Sequence, residues 1–168
     1  MYWKKFKYIL QHKWFVFLEC LKTGQIIHGI FHDCSKFLPS EFIPYAKKFF
    51  GNISEDDQTF EAIQKFGCHE AAPFGFYIEE QFSIAWLLHQ HRNKHHCDYW
   101  VDSDNKIIPM PIKYVNQMIV DWRAMGRKFG DTAEDFYSNN AHKMKLHPIT
   151  IERIKHIFDI DNLTLAVK

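Results

Sequence analysis

Within Gly29-Ile-Phe-His-Asp-Cys-Ser-Lys-Phe37, His32 and Asp33 set an imidazole and a carboxylate side by side after a short apolar run. The imidazole supplies a borderline nitrogen ligand, and the carboxylate a hard, anionic oxygen that can bridge two metal ions. Successive residues on a helix are turned from one another by about 100°. Neighbours therefore converge on one cation only where the backbone leaves the helical path, as it does at a helix end. Alone the pair says little, because a chain with eleven histidines holds a few such neighbours, and its weight depends on its companions.

The companions are three. His89-Gln-His91-Arg-Asn93-Lys-His95-His96 holds four of the eleven histidines within eight residues. On a continuing helix His89, Asn93 and His96 share one face and His91 and His95 form another stripe, and spacing does not choose between them. His12 lies midway along an apolar-periodic segment, where by itself it reads as a histidine bordering the core and bonded to a carbonyl. Asp121 stands inside another apolar helix. A lone carboxylate is costly to bury, so it is paired, metal-bound or on the outer face.

These residues need helices to position them. Residues 2–21 lack Gly and Pro, and Phe6, Ile9, Leu10, Trp14, Phe17 and Leu21 recur at helical spacing up to a stop at Gly24. A short second helix, 25–32, delivers the His-Asp pair. Pro39-Ser40-Glu41 starts a third helix that runs to Gly51, and Ser54-Glu55-Asp56-Asp57 starts a fourth that ends near Gly67. A loop, 68–75, carries His69, and a helix from Tyr77 leads into the histidine cluster. Residues 99–111, with Asp102-Ser-Asp-Asn105 at their middle, read as a small hairpin or an irregular lid. Pro111 suits the first turn of the next helix, which turns Val115, Met118, Ile119, Trp122 and Met125 inward and stops near Gly126. Thr132 begins another helix, and a last amphipathic helix after His147-Pro148 carries Ile149, Ile151, Ile154, Ile157 and Phe158. With no repeat, low-complexity tract or linker, 1–168 reads as one all-α domain.

Composition narrows the function classes. Apolar residues make up 46% and aromatics 17%, which excludes a disordered chain. A net charge of +1 gives no general attraction to nucleic acid or an anionic membrane, and it disfavours a long nucleic-acid substrate relative to a small molecule. The apolar run Trp14–Leu21 contains Glu19 and is too short to span a bilayer, and no small-residue cleavage site follows it. Cys20, Cys34, Cys68 and Cys97 form no Cys-x-x-Cys pair and read as small buried residues of a reducing cytosol.

The order of these features resembles the HD-domain superfamily of metal-dependent phosphohydrolases: a histidine on helix one, His-Asp ending helix two, a histidine cluster on a middle helix and an aspartate on a later one. The chain is most similar to the DUF5662-type family of bacterial and phage proteins, in three segments: the His12-Lys13 helix with His32-Asp33-Cys-Ser-Lys36-Phe37, Ala85-Trp86 through Arg92-Asn93-Lys94-His95-His96 to Tyr99-Trp100, and Met110-Pro111 to Asp121. The resemblance implies an HD-like helical bundle in which His12, His32, Asp33 and Asp121 hold one metal. His89 with one or both of His95 and His96 would hold a second, bridged by Asp33. Lys36 matches the Lys of a His-Asp-x-x-Lys pattern and would touch a substrate phosphate. Arg92, Lys94, Arg123, Arg127 and Lys128 are further candidates for substrate phosphate, and each reads equally as part of a solvated helix end. His28, His69, His91, His142, His147 and His156 keep structural or surface roles.

The activity this implies is hydrolysis of a nucleotide or another small phosphate ester, with one or two divalent ions among Mn, Fe, Co, Ni, Zn and Mg. Trp86, Tyr99, Trp100 and Trp122 could stack a base, although aromatics this common are more often core. A second class with the same ligands is a di-iron oxygenase resembling myo-inositol oxygenase, and metal identity decides between them. A third is a non-catalytic metal-bearing domain that binds a nucleotide or a protein partner in phage–host conflict. The expected location is the cytoplasm of a bacterial cell or a phage-infected host.

Overall fold

Apolar residues recurring at helical spacing, punctuated by Gly, Pro and Thr, build an all-α chain. The computed structural model describes residues 1–51 and 74–166, with side chains over 1–51 and 77–160. Its elements are α1 (Tyr2–Lys22), α2 (Ile26–Phe31), a 3-10 turn (Cys34–Phe37), α3 (Pro39–Phe50), α4 (Phe74–Arg92), a 3-10 turn (Cys97–Trp100), α5 (Ile112–Phe129), α6 (Ala133–Asn140), a 3-10 turn (Ala141–Lys143) and α7 (Pro148–Ala166). Among the described residues no strand forms. The segment 99–111, expected as a small hairpin or an irregular lid, is an irregular excursion holding one antiparallel bridge, Val101 to Ile107. The helix expected from Ser54 to Gly67, with Cys68 and His69, lies outside the described residues. No described helix is long and apolar enough to cross a membrane.

Local chemistry sets the boundaries. Gly24, at φ +71, takes the left-handed conformation after α1, and the Gln25 N–H donates to the Cys20 carbonyl at 2.9 Å, the long bond of a Schellman turn. Thr132 and Asp135 open α6 with a reciprocal capping box. Two boundaries differ from expectation. α5 runs past Gly126 to a left-handed Gly130 at φ +84. Gly126 is there for space, since a Cβ on it would run into the Asp131 carbonyl. α4 begins at Phe74 and stops at Arg92, before the histidine cluster is complete.

The contacts divide the chain into two compact units, Met1–Leu10 with Cys34–His89 and Gln11–Asp33 with Gln90–Lys168. In the first, Tyr45 packs edge-on against Phe82 at 5.0 Å, with the Lys5 ammonium 4.3 Å from the centre of the Tyr45 ring. In the second, Met110, Val115, Met118, Ile119 and Trp122 pack with Ala133, Ile154 and Phe158. Val16 and Cys20 of α1 pack with Val120 and Ala124 of α5. Burying such side chains contributes roughly 1.5–3 kcal/mol each.

The buried face of α1 is not the aromatic one. Lys5, Ile9, His12, Val16, Glu19 and Cys20 are buried, whereas Leu10, Trp14 and Leu21 are about half exposed. On α7 it is Ile154 and Phe158 that are buried, and Ile149 is exposed. Cys20 is buried as expected, and Cys34 is exposed.

Candidate metal centre

α2 ends by leaving the helical path at the residues that matter. His32 is its C-cap at φ −52, ψ 128, and Asp33 follows at φ +51, in the left-handed region that aspartate tolerates better than most residues. The Lys13 ammonium donates to the carbonyls of Ile30 at 3.0 Å and His32 at 2.6 Å, taking up oxygens that a helix end leaves without an intrahelical partner. The two side chains thereby turn to one point, His32 Nε2 lying 3.2 Å from Asp33 Oδ2.

Gly29 sets the approach of α2 to α1. A Cβ on it would stand 2.9 Å from Cys20 Cβ and 3.2 Å from the Phe17 Cα. This close packing brings His12 Nε2 to 3.1 Å from His32 Nε2 and 3.6 Å from Asp33 Oδ2. From α5, Asp121 Oδ1 completes the group, 3.3 Å from His12 Nε2 and 3.4 Å from His32 Nε2. Metal–donor bonds of about 2.1 Å put tetrahedral donors about 3.4 Å apart and adjacent octahedral ones about 3.0 Å apart. The separations among His12, His32 and Asp121, 3.1–3.4 Å, fall in that range, so these three donors fit around one ion, and Asp33 Oδ2 stands 3.2 and 3.6 Å from the two imidazoles.

Asp33 faces a second group with its other oxygen. His95 Nε2 lies 3.3 Å from Asp33 Oδ1, and ligand atoms of Asp33, His95 and His96 all fall within 4.8 Å of one another, as do those of His28, His32 and His95. His95 and His96 occupy a turn after α4, where the His96 N–H donates to the Asn93 carbonyl at 3.0 Å, so neither helical stripe expected for this cluster exists. Asn93 suits that exit, because its amide competes with the helical backbone.

The electrostatics ask for a cation. Burial opposes a charge on His32, but the carboxylates of Asp33 and Asp121 outweigh it and lift its pKa to about 9. Burial likewise works against charge on Asp121, yet His32 and then His12 hold it well below the usual carboxylate range. Burial, with the neighbouring His32 charge, keeps the His95 imidazole well below its ordinary pKa. Among the described residues, the buried atoms His95 Nε2 and Asp121 Oδ1 receive no hydrogen bond of good geometry. Each such atom costs about 1–3 kcal/mol, and an ion bound in each donor group would satisfy them.

His89 and Lys36 belong to the first unit. His89 is fully buried there, with Nδ1 at 2.9 Å from Glu41 Oε2, and Ser35 Oγ donates to the same carboxylate at 3.0 Å. Glu41, which sequence reasoning passed over, orients that imidazole through Nδ1. Lys36 lies on the 3-10 turn Cys34–Phe37.

The remaining cations are dispersed. Arg92 ends α4 and is exposed. The Lys94 ammonium stands over the rings of Tyr99 and Tyr114, at 5.8 and 5.9 Å. On α5, Arg123 is turned about 200° from Asp121, whereas Lys128, two turns on, shares its side. Arg127 is committed to Glu19, which also accepts from Lys22 at 3.0 Å. His91, His142 and His156 are exposed. Two residues that touch the centre stand outside the expected site: Lys13, to which sequence reasoning gave no role, and His28, to which it gave a structural or surface one. The signals available were the adjacency of Lys13 to His12 and the one-turn spacing of His28 from His32.

A sequence profile described as a family of unknown function, DUF5662, matches residues 1–160. No curated protein and no solved structure matches the chain.

Proposed function

The chain belongs to the DUF5662 family, and from the geometry of its donor groups we propose that it is a metal-dependent phosphohydrolase of HD type, acting on a nucleotide or another small phosphate ester. The observation that carries the reading is the double role of Asp33. One carboxylate oxygen lies 3.2 Å from His32 Nε2 and 3.6 Å from His12 Nε2, and the other lies 3.3 Å from His95 Nε2. A carboxylate so placed would bridge two neighbouring cations, an arrangement suited to attack on phosphoesters.

In this reading His12, His32 and Asp121 hold the first ion, His95 and His96 the second, and Asp33 both. Bound there, such ions supply a water acidic enough to be nucleophilic at neutral pH and offset the charge of the phosphate oxygens. Two imidazoles with two carboxylates favour a transition ion such as Mn, Fe, Co, Ni or Zn over Mg, which prefers an all-oxygen shell. Lys94, next to His95 in the chain, is a cation of this unit that could meet phosphate. The Tyr99 and Tyr114 rings beside it offer faces for a base.

The test is release of inorganic phosphate from a panel of nucleotides and simple phosphomonoesters, by protein loaded separately with Mn, Co, Ni or Fe(II), alongside His32→Ala and Asp121→Ala. Ion-dependent release, at least about 100-fold lower in both variants, is the expected result. Bound ions with no phosphate release would refute hydrolysis. Oxygen uptake by the Fe(II) form alone would instead favour the di-iron oxygenase class, which shares this donor set.

A further inference from the structure

His28 lies one turn before His32 on α2, and His28 Nε2 is 3.3 Å from His32 Nδ1. The rings meet edge to face, centroids 5.1 Å apart at 83°. On its other side His28 meets His95 edge to face at 5.7 Å. One imidazole that the family resemblance leaves without a role thus touches a donor of each group.

A neutral imidazole carries one N–H. His32 Nε2 is the atom directed at His12, Asp33 and Asp121, and a nitrogen that gives its lone pair to a cation holds no proton. The His32 proton must then sit on Nδ1, and the only direction in which the hydrogen bond runs is from His32 Nδ1–H to His28 Nε2. His28 accordingly carries its own proton on Nδ1. Ligating histidines almost always anchor their second nitrogen in this way, usually on a carboxylate, a backbone carbonyl or water.

We propose that His28 is the positioning residue of this centre: it fixes the tautomer and ring plane of His32 and ligates neither ion itself. This rests on the reading that His32 binds a metal ion, and not on the reaction that the ion serves. The chemical consequence follows from the acceptor being uncharged. A carboxylate in that place would add negative charge to the ligand and weaken the ion's pull on electrons, whereas an imidazole orients His32 and leaves that pull intact.

The test is titration of the full chain with Co2+, following its visible absorption, in wild type, His28→Phe and His28→Gln. Phe keeps an aromatic ring in place and removes the acceptor, while Gln restores an acceptor oxygen. The expected result for Phe is affinity for the first Co2+ lower by roughly 10–100-fold, with the number of ions bound at saturation unchanged. Gln should recover most of the loss, and the metal-free melting temperatures should stay together. In the Zn2+-loaded wild type, nitrogen-15 spectra should place the His32 proton on Nδ1, protected from exchange, and in the Phe variant that protection should be lost.

Wild-type affinity in the Phe variant, or a His32 proton on Nε2, would overturn the assignment. So would loss of a whole ion per chain in both variants, which would make His28 a ligand. A wild type that takes up no Co2+ or Zn2+ would overturn the metal reading itself, and this assignment with it.

Discussion

Replacing Asp33 with asparagine removes one negative charge and little else. Asparagine is nearly the same shape and tolerates the left-handed backbone, here φ +51, about as well as aspartate. Asp33 Oδ2 lies 3.2 Å from His32 Nε2 and Oδ1 lies 3.3 Å from His95 Nε2, so the one change strips an anionic donor from both groups. An ion present at 100 times its Kd stabilises the folded chain by about 2.7 kcal/mol. Two ions at that saturation give about 5 kcal/mol, and for a chain of this size each kcal/mol moves the melting temperature by roughly 2–4 °C. Wild type should therefore melt roughly 10–20 °C higher with Co2+ than without it, and Asp33→Asn should keep no more than about 3 °C of that rise. Asp121→Asn, which touches only the first group, should keep about half. The assay is thermal unfolding followed by circular dichroism, with elemental analysis of the same samples and the metal-free melt as the control for folding. An asparagine variant that retains two ions and the full rise would refute the bridging role of Asp33. A loss as large in Asp121→Asn would refute the division into two groups.

Three further outcomes bear on how the centre is held and charged. Lys13→Met removes the donor to the Ile30 and His32 carbonyls, a charged pair of bonds whose loss should cost about 1.5–3 kcal/mol; an unchanged melting temperature and Co2+ affinity would show that the turn holds itself. Gly29→Ala drives a methyl against Cys20 Cβ, and this overpacking should cost about 1–3 kcal/mol. By pushing α2 from α1 it should also weaken Co2+ binding although no donor is altered, and intact binding would refute the coupling of helix packing to the centre. The His32 pKa, lifted to about 9 by Asp33 and Asp121 against burial, predicts a pH dependence. A group whose folded pKa lies above its ordinary value of about 6.5 stabilises fully below that value and loses the contribution as pH rises through 9, so the metal-free chain should weaken over pH 6.5–9 by at most about 3 kcal/mol. Because a metal ion displaces the same proton, Co2+ affinity should rise by up to about tenfold per pH unit in that window. Metal-free melts that stay level from pH 6.5 to 9 would contradict the first half of this prediction, and a pH-independent affinity the second.

Where a helix begins or ends on side-chain chemistry, the sequence was legible. Gly24 and Thr132 mark their boundaries because left-handed glycine and a threonine capping box are local interactions, complete within a few residues. Faces and exits set by distant partners were not. α1 carries large apolar residues on more than one side, so periodicity cannot say which stripe is buried; the buried side carries His12 and Glu19, whose partners, His32 and Arg127, come from elsewhere in the chain. The histidine cluster reads as helical by its flanks, yet the chain leaves the helix at Arg92, and His95 meets Asp33 from a turn.

His28 shows the limit most sharply. Spacing places it one turn from His32, and that spacing serves equally a ligand, a residue that orients a ligand and a bystander. The three differ only in which ring nitrogen faces which atom. His32 presents Nε2 to its donor group and Nδ1 to His28, and a proton can occupy only one of the two while the ring is neutral. Once Nε2 gives its lone pair to a cation, the direction of the hydrogen bond follows, and with it the division between the residues that would hold an ion and the residue that would hold them in place.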